Sequence, residues 1–263
     1  MPDNGLGARS GTRAGVARAI VGCLVSPMST ELAGPAAELK AAIDRNDVTA
    51  LQALMSADPS LHRAPLGYGG NGPLTWVAEC RGHVSVAERL VMAQWMIDHG
   101  SDVHQGGDGP LMRAALNERR VPMMELLVRN GADVNAEWNG HYPIIFGPCE
   151  CVDPAALRWL LEHGAKANGP GGTAQDTPLD YLLATYSRSP ELGECVALLR
   201  AAGGTTRYAW PGVIETMLDR AGELAGLLDA EPALLSRRYA GLDCGSTGAR
   251  SLTLVGATLL HVA

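Results

Sequence analysis

The sequence predicts an all-α solenoid of stacked antiparallel helix pairs joined by short hairpin loops, on the strength of two phased repeats and a composition that suits thin helical layers. Met96-Ile97-Asp98-His99-Gly100-Ser101-Asp102-Val103-His104 recurs as Leu127-Val128-Arg129-Asn130-Gly131-Ala132-Asp133-Val134-Asn135 and as Leu160-Leu161-Glu162-His163-Gly164-Ala165-Lys166-Ala167-Asn168, with Leu199–Gly203 a decayed fourth copy. In phase with it, Gly69-Gly70-Asn71-Gly72-Pro73-Leu74 matches Gly106-Gly107-Asp108-Gly109-Pro110-Leu111, and the same slot later reads Asn139-Gly140-His141-Tyr142-Pro143-Ile144 and Gln175-Asp176-Thr177-Pro178-Leu179. Of the 263 residues 46% are hydrophobic but only 5% aromatic, with a single Phe. Leu and Ala carry the apolar content, which fits close-packed helices better than a sandwich of sheets rich in β-branched and aromatic side chains.

Each unit follows from these marks. Proline at the first turn of a helix gives up no hydrogen bond and presets φ, so Pro73, Pro110, Pro143 and Pro178 are expected to start the inner helices. Val77-Ala78 and Ala114-Ala115 then let that helix approach its neighbour, while Leu126-Leu127 and Trp159-Leu160-Leu161 supply the buried ridge of the outer helix. Glycine ends the outer helix, because the left-handed position beyond a helix end costs a residue with a side chain more. His99 and His163, just before that glycine, are placed to meet the last helical carbonyls.

The recurring glycines at 100, 131, 164 and 203 lie 31, 33 and 39 residues apart, around the ankyrin period of about 33. The pattern resembles the ankyrin repeat family, whose units carry Thr-Pro-Leu-His-x-Ala-Ala, a Leu-Leu helix and Gly-Ala-Asp-Val-Asn, the last matched in full by Gly131–Asn135. The His of the box is replaced by Thr75, Met112, Ile145 and Asp180, and only Thr177 keeps its Thr, which puts the rigidity between repeats in question. The resemblance covers roughly residues 36–204 and suggests a divergent member of bacterial type. Residues 1–27, rich in Gly, Ala and Arg, read as a disordered extension, with Met28 an alternative start. The apolar stretch before Cys23 is too short, and too interrupted by Arg18, for a lipidation signal. Residues 28–204 are expected to form one array with a cap repeat, lengthened by insertions at Val84–Gln94 and Thr185–Glu194. Residues 205–263 are expected to start a second, incomplete array. There Leu218-Asp219-Arg220 and Ala230–Leu234 echo Ile43-Asp44-Arg45 and Ala57–Leu61 with a two-residue difference between them, and Thr258-Leu259-Leu260-His261 repeats the box with Leu259 for Pro. On that expectation the natural chain continues, or this is a truncated fragment.

The formal net charge of −7 disfavours nucleic acid, whose phosphates demand a basic face. No apolar run reaches the roughly 18–20 residues that cross a bilayer, and six scattered cysteines suit reduced thiols in the cytoplasm. The glycine-rich tips lack the Gly-Lys-Ser/Thr of a phosphate loop, so they read as turns needing positive φ. Cys149-Glu150-Cys151 with His141 and His163 makes a poor metal set, since Cys-x-Cys on a helix points its sulfurs about 200° apart. No catalytic motif and no cofactor signature is present. Three classes of function stay open: a protein-binding scaffold, which the repeats favour, an enzyme with an unrecognised active site in a repeat shell, and a purely structural segment of a larger chain. A monomer is expected, with self-association possible through an uncapped C-terminus.

The family resemblance implies that a partner is gripped by the hairpin tips and by inner-helix positions after the small residue pair. Carried onto this chain, the tips are Tyr68, Asn71, Gln105, Asp108, Trp138, Asn139, His141, Thr173 and Asp176. The inner helices contribute Glu79, Cys80, Leu116, Asn117, Glu150 and Thr185. Trp138 reads either as an exposed binding anchor or as packing against the neighbouring hairpin. Glu79, Asp108, Glu150 and Asp176 would make the concave face acidic.

Overall fold

A computed structural model describes residues 33–66, 71–79, 85–116, 121–138, 140–171, 176–183, 190–207, 210–239 and 258–262. The expected N-terminal extension and the positions Tyr68, Cys80, Asn117, Asn139, Thr173 and Thr185 lie outside the described residues. Along the chain, helices pair as α1 (Pro35–Asp44) with α2 (Val48–Ala57), α3 (Pro73–Ala78) with α4 (Val86–Asp98), and α5 (Gln105–Ala115) with α6 (Val121–Arg129). Then come α7 (Phe146–Cys151) with α8 (Pro154–Glu162), α9 (Pro178–Leu183) with α10 (Pro190–Ala201), α11 (Val213–Met217) with α12 (Ala221–Ala230), and finally α13 (Leu259–Val262). The helices α3, α5, α7 and α9 touch in succession to form an inner row, and α4, α6, α8 and α10 form an outer one. The core runs continuously between the two rows.

Small residues set the spacing of the inner row. A Cβ added to Gly147 in α7 would lie 3.1 Å from the Ala115 Cβ of α5, so the two helices approach to backbone contact at the Ala-Ala pair. The inner helices are short, and α3, α7 and α9 span six residues each. Segments of that length do not hold a helix alone; burial against the outer row holds them.

The outer helices end alike. Gly100, Gly131, Gly164 and Gly203 have φ of 106°, 104°, 90° and 83°, and the residue after each closes back on the helix. Ser101 N–H donates to the Met96 carbonyl (2.8 Å), Ala132 to Leu127 (3.1 Å), Ala165 to Leu160 (2.9 Å) and Gly204 to Leu199 (2.7 Å). This is the Schellman closure, which satisfies a carbonyl that the helix end leaves unpaired. The fourth copy reads Gly-Gly rather than Gly-Ala because a Cβ on Gly204 would sit 2.7 Å from the Leu199 oxygen. Nothing lies within 4 Å of a Cβ placed on Gly131, so substitution there strains backbone alone. Gly131→Val is expected to cost about 1 kcal/mol or more, read as a lower urea midpoint at unchanged slope; an unmoved midpoint would remove this cap from the account. Nδ1 of His99 meets the Trp95 carbonyl and Nδ1 of His163 that of Trp159, each at 2.7 Å, and each imidazole stacks on the same Trp.

Side chains beyond the glycine tie successive repeats together. Asn135 Nδ2 donates to the Gly164 carbonyl (3.0 Å) and its Oδ1 accepts from Lys166 N–H (2.9 Å); Asn168 does the same to Gly203 and Thr205. Loss of the box histidine therefore leaves the repeats connected. In the last box Asp180 takes over the hydrogen bonding, accepting from Thr177 N–H (3.0 Å) and from Arg207 N–H (3.1 Å), while the Thr177 hydroxyl donates to the Thr205 carbonyl (2.8 Å).

Two expectations need correction. Pro73 and Pro178 open their helices, and Pro110 lies in the first right-handed turn of α5, but Pro143 belongs to a strand. The strands β1 (Glu137–Trp138) and β2 (Tyr142–Pro143) pair antiparallel, Trp138 opposite Tyr142, and α7 starts only at Phe146. The proline ring is used instead for contact between hairpins, since a Cβ on Gly171 would lie 3.0 Å from its Cδ. The insertion expected at Val84–Gln94 to lengthen a connection is mostly helix: from Val86 it belongs to the 13-residue α4. Ser85 caps that helix, accepting from Glu88 N–H.

The C-terminal module repeats the first one in unbroken register. Asn46 and Asp219 turn the chain at φ 56° and 52°, and two ten-residue helices, α2 and α12, follow. Asp58 and Glu231 leave the helix at similar angles, φ −133° and −140°, and short 3-10 turns, Pro59–Arg63 and Pro232–Leu235, come next. Leu61 and Leu66 are buried in the first copy, as Leu234 and Tyr239 are in the second. Asp219 thus stands on Asn46 and Arg220 on Asp47, without the two-residue offset that the Asp-Arg echo suggests.

Candidate functional site

Of the nine expected contact residues that are described, five turn inward. Asn71 is buried, with its Oδ1 where a Cβ on Gly106 or Gly109 would come within 2.4 Å and 2.3 Å. Successive tips therefore interlock; Gly106 is required there by contact as well as by φ, Gly109 by contact. Gly106, Gly107 and Asp108 form a left-handed turn, with φ of 73°, 65° and 55°. Asp108 is buried by it. Its Oδ1 meets His104 Nδ1 (2.6 Å) and its Oδ2 accepts from Asp133 N–H of the next repeat (2.6 Å). That hydrogen bond, with the negative charge of Asp108, holds His104 above the ordinary imidazole range.

The acidic concave face does not form as expected. Glu79 is buried and meets buried Arg113 Nε at 3.5 Å, which cancels its charge. Glu150, also buried, accepts from Tyr181 OH (3.1 Å), and burial together with that carboxylate pushes the Tyr181 phenol well up. Asp176 is half-buried and pairs with Arg207 Nη2 at 2.6 Å. Carboxylates at these inner positions satisfy donors of neighbouring repeats, because a buried ionised group without a partner costs several kcal/mol. Arg113, Tyr181 and Arg207 are the residues a reading by motif misses: Arg113 and Tyr181 fill the unspecified position of the box and Arg207 lies beyond its last copy, so they are identified only by what they face.

Trp138 is 6% exposed, so it packs rather than presents itself. Its ring lies 6.4 Å from that of Tyr142, and the His141 ring lies 5.4 Å from that of Tyr142. His141 is exposed and Tyr142 half-buried. Gln105 is half-buried and donates to the Arg63 carbonyl (3.2 Å), and Leu116 is half-buried at the end of α5. Of the expected contact residues that are described, Gln105, Leu116, His141 and Asp176 keep solvent-facing surface, while Asn71, Glu79, Asp108, Trp138 and Glu150 do not.

Among the described residues no group of three or more His, Cys, Asp or Glu side chains could hold a metal ion. Burial pushes the Cys149 thiol well up and Cys195 to about 12, the opposite of the thiolate a metal or nucleophile needs. Cys151 Sγ is engaged with the Leu116 carbonyl. No described helix is long and apolar enough to cross a membrane.

No curated protein matches the chain. Residues 39–137 match the family model for ankyrin repeats, in three copies, and the same glycine closures and asparagine bridges continue through α8 and α10. Residues 39–137 of this chain are thus similar to ankyrin repeats over three copies, and the same repeat geometry carries on beyond them.

Proposed function

We propose that this protein is a binding scaffold whose hairpin tips and concave inner-helix side hold a protein partner. Ankyrin repeats are in general modules for protein–protein interaction, typically without catalytic activity. The observation that carries the reading here is the 137–143 hairpin. Buried Trp138 fixes it from below, so exposed His141 is offered beside half-buried Tyr142 from a supported hairpin, and ordering such side chains costs a partner little. Gln105 and Asp176 extend the same line of tips on either side. Such a scaffold would work in a reducing cytoplasm, where the free thiols of Cys149, Cys151 and Cys195 persist.

The test uses the full chain as bait, with retained proteins identified by mass spectrometry. A partner held by the wild type should be lost by His141→Ala with Tyr142→Ala and kept by Arg129→Glu with Arg158→Glu on the exposed outer helices. The reverse pattern would move the footprint to the outer row. Trp138 is unsuited to this test, because its loss changes stability together with any binding.

A further inference from the structure

We propose that His62 forms an acid-sensitive latch, which holds the turn after α4 onto the first module and releases it when the imidazole takes up a proton. The latch is a local departure from the repeat. The residue that closes α4 is Ser101, where α6, α8 and α10 are closed by Ala132, Ala165 and Gly204. A buried hydroxyl there needs a partner, and the 3-10 turn Pro59–Arg63 supplies one: His62 Nδ1 meets Ser101 Oγ at 2.7 Å. The next residue adds a second clip, since the Arg63 carbonyl accepts from Gln105 Nε2 (3.2 Å). His62 is 4% exposed, and its ring stacks on Trp95 of α4, which also stacks on His99. The fourth repeat keeps the stack of His163 on Trp159 but has Ala165 in place of Ser101.

The surroundings suit a neutral imidazole and oppose a charged one. The 3-10 turn packs on α2 and α3, neither of which carries an ionisable side chain. The charged groups on the other elements around His62 are Asp58 and Arg63 of its own turn, Asp98 and His99 at the end of α4, and Asp102 after Ser101; Glu88 and Arg89 stand at the opposite end of α4. The three nearer carboxylates are engaged locally. Asp58 accepts from the N–H and hydroxyl of Ser60, Asp98 from Gln94 Nε2 and Asp102 from His104 N–H. Burial, with the nearby His99, therefore holds His62 below the ordinary imidazole range. Above that range His62 is neutral in both the folded and the unfolded chain, and the latch is at full strength. As pH falls from there through the lowered folded pKa, the open chain binds the proton more readily than the closed one, so stability is lost. A charged ring is better solvated in water than in this site, so proton uptake draws it out, and Ser101 and Gln105 lose their hold on the turn.

Amide hydrogen exchange of the full chain tests this, with each rate divided by its intrinsic value at the same pH. Protection of the Ser101 N–H should fall by roughly threefold or more between about pH 7.5 and about pH 5, while that of the Ala165 N–H, in the equivalent closure, should change far less. The His62 ring, followed by NMR, should titrate below the ordinary imidazole range. His62→Leu with Ser101→Ala gives this closure the residue of the later copies, and the melting temperature of that variant should depend on pH less than that of the wild type. An imidazole that titrates at or above the ordinary range, equal falls at Ser101 and Ala165, or a double variant with the pH dependence of the wild type would overturn the proposal. The exchange and NMR measurements use the wild-type chain, so they decide the matter even where the double variant does not fold. None of these positions lies in the 137–143 hairpin, so the latch can fail while the hairpin reading stands.

Discussion

Trp138→Ala is expected to lower the unfolding free energy by about 3–5 kcal/mol, the range for removing a buried aromatic side chain. The residue is 6% exposed in β1, where the hairpin packs on α5. Deleting the indole empties the space between that hairpin and the inner row, and a two-residue strand pair has no other core to collapse on. Three phased features depend on the hairpin: the pairing with Tyr142, the position of Pro143 against Gly171, and the entry into α7 at Phe146. The loss should therefore propagate along the array and appear in urea unfolding as a lower midpoint. His141→Ala, in the turn just before β2 and exposed, should change stability by no more than about 0.5 kcal/mol. If both substitutions cost the same small amount, Trp138 is not the anchor of its hairpin.

Much of the fold is legible in the sequence because its strongest determinants are local. Gly131 and its equivalents mark a left-handed closure wherever they occur, and Pro73 and Pro178 mark a first turn; each is a backbone requirement that one residue type meets best. Pro143 misleads because the same residue type also suits an edge strand, and the choice was made by Trp138 and Tyr142 pairing across it. The Val84–Gln94 insertion misleads because extra residues between two marks can lengthen a helix as well as a loop, and Ser85 capping Glu88 N–H decides for the helix. The contact residues were the least legible part. Glu79, Asp108 and Glu150 are at the positions the family resemblance assigns, yet whether a carboxylate there faces solvent depends on Arg113, Asp133 N–H and Tyr181, each contributed by another part of the array. A repeat pattern indicates where a side chain starts, whereas its partner is set by the sequence one period away, where this chain departs most from its own consensus.

The pair that replaces the expected acidic face gives the second large effect. Glu79 and Arg113 meet at 3.5 Å with side chains only 7% exposed, joining the end of α3 to α5 across the inner row. Removing one member of a buried pair leaves the other charge in a medium that solvates it poorly, so Arg113→Ala is expected to cost about 3–5 kcal/mol. Replacing both by apolar groups of similar shape removes the stranded charge together with its partner. Glu79→Leu with Arg113→Met should therefore recover a large part of the loss, and a double-mutant cycle should return a coupling of about 0.5–3 kcal/mol. Water screens a surface pair but has little access to this one, so the coupling should be nearly the same at low and high salt. Additive single substitutions, or a coupling that vanishes in salt, would mean that the inner side is open at this point and that Glu79 remains available to a partner.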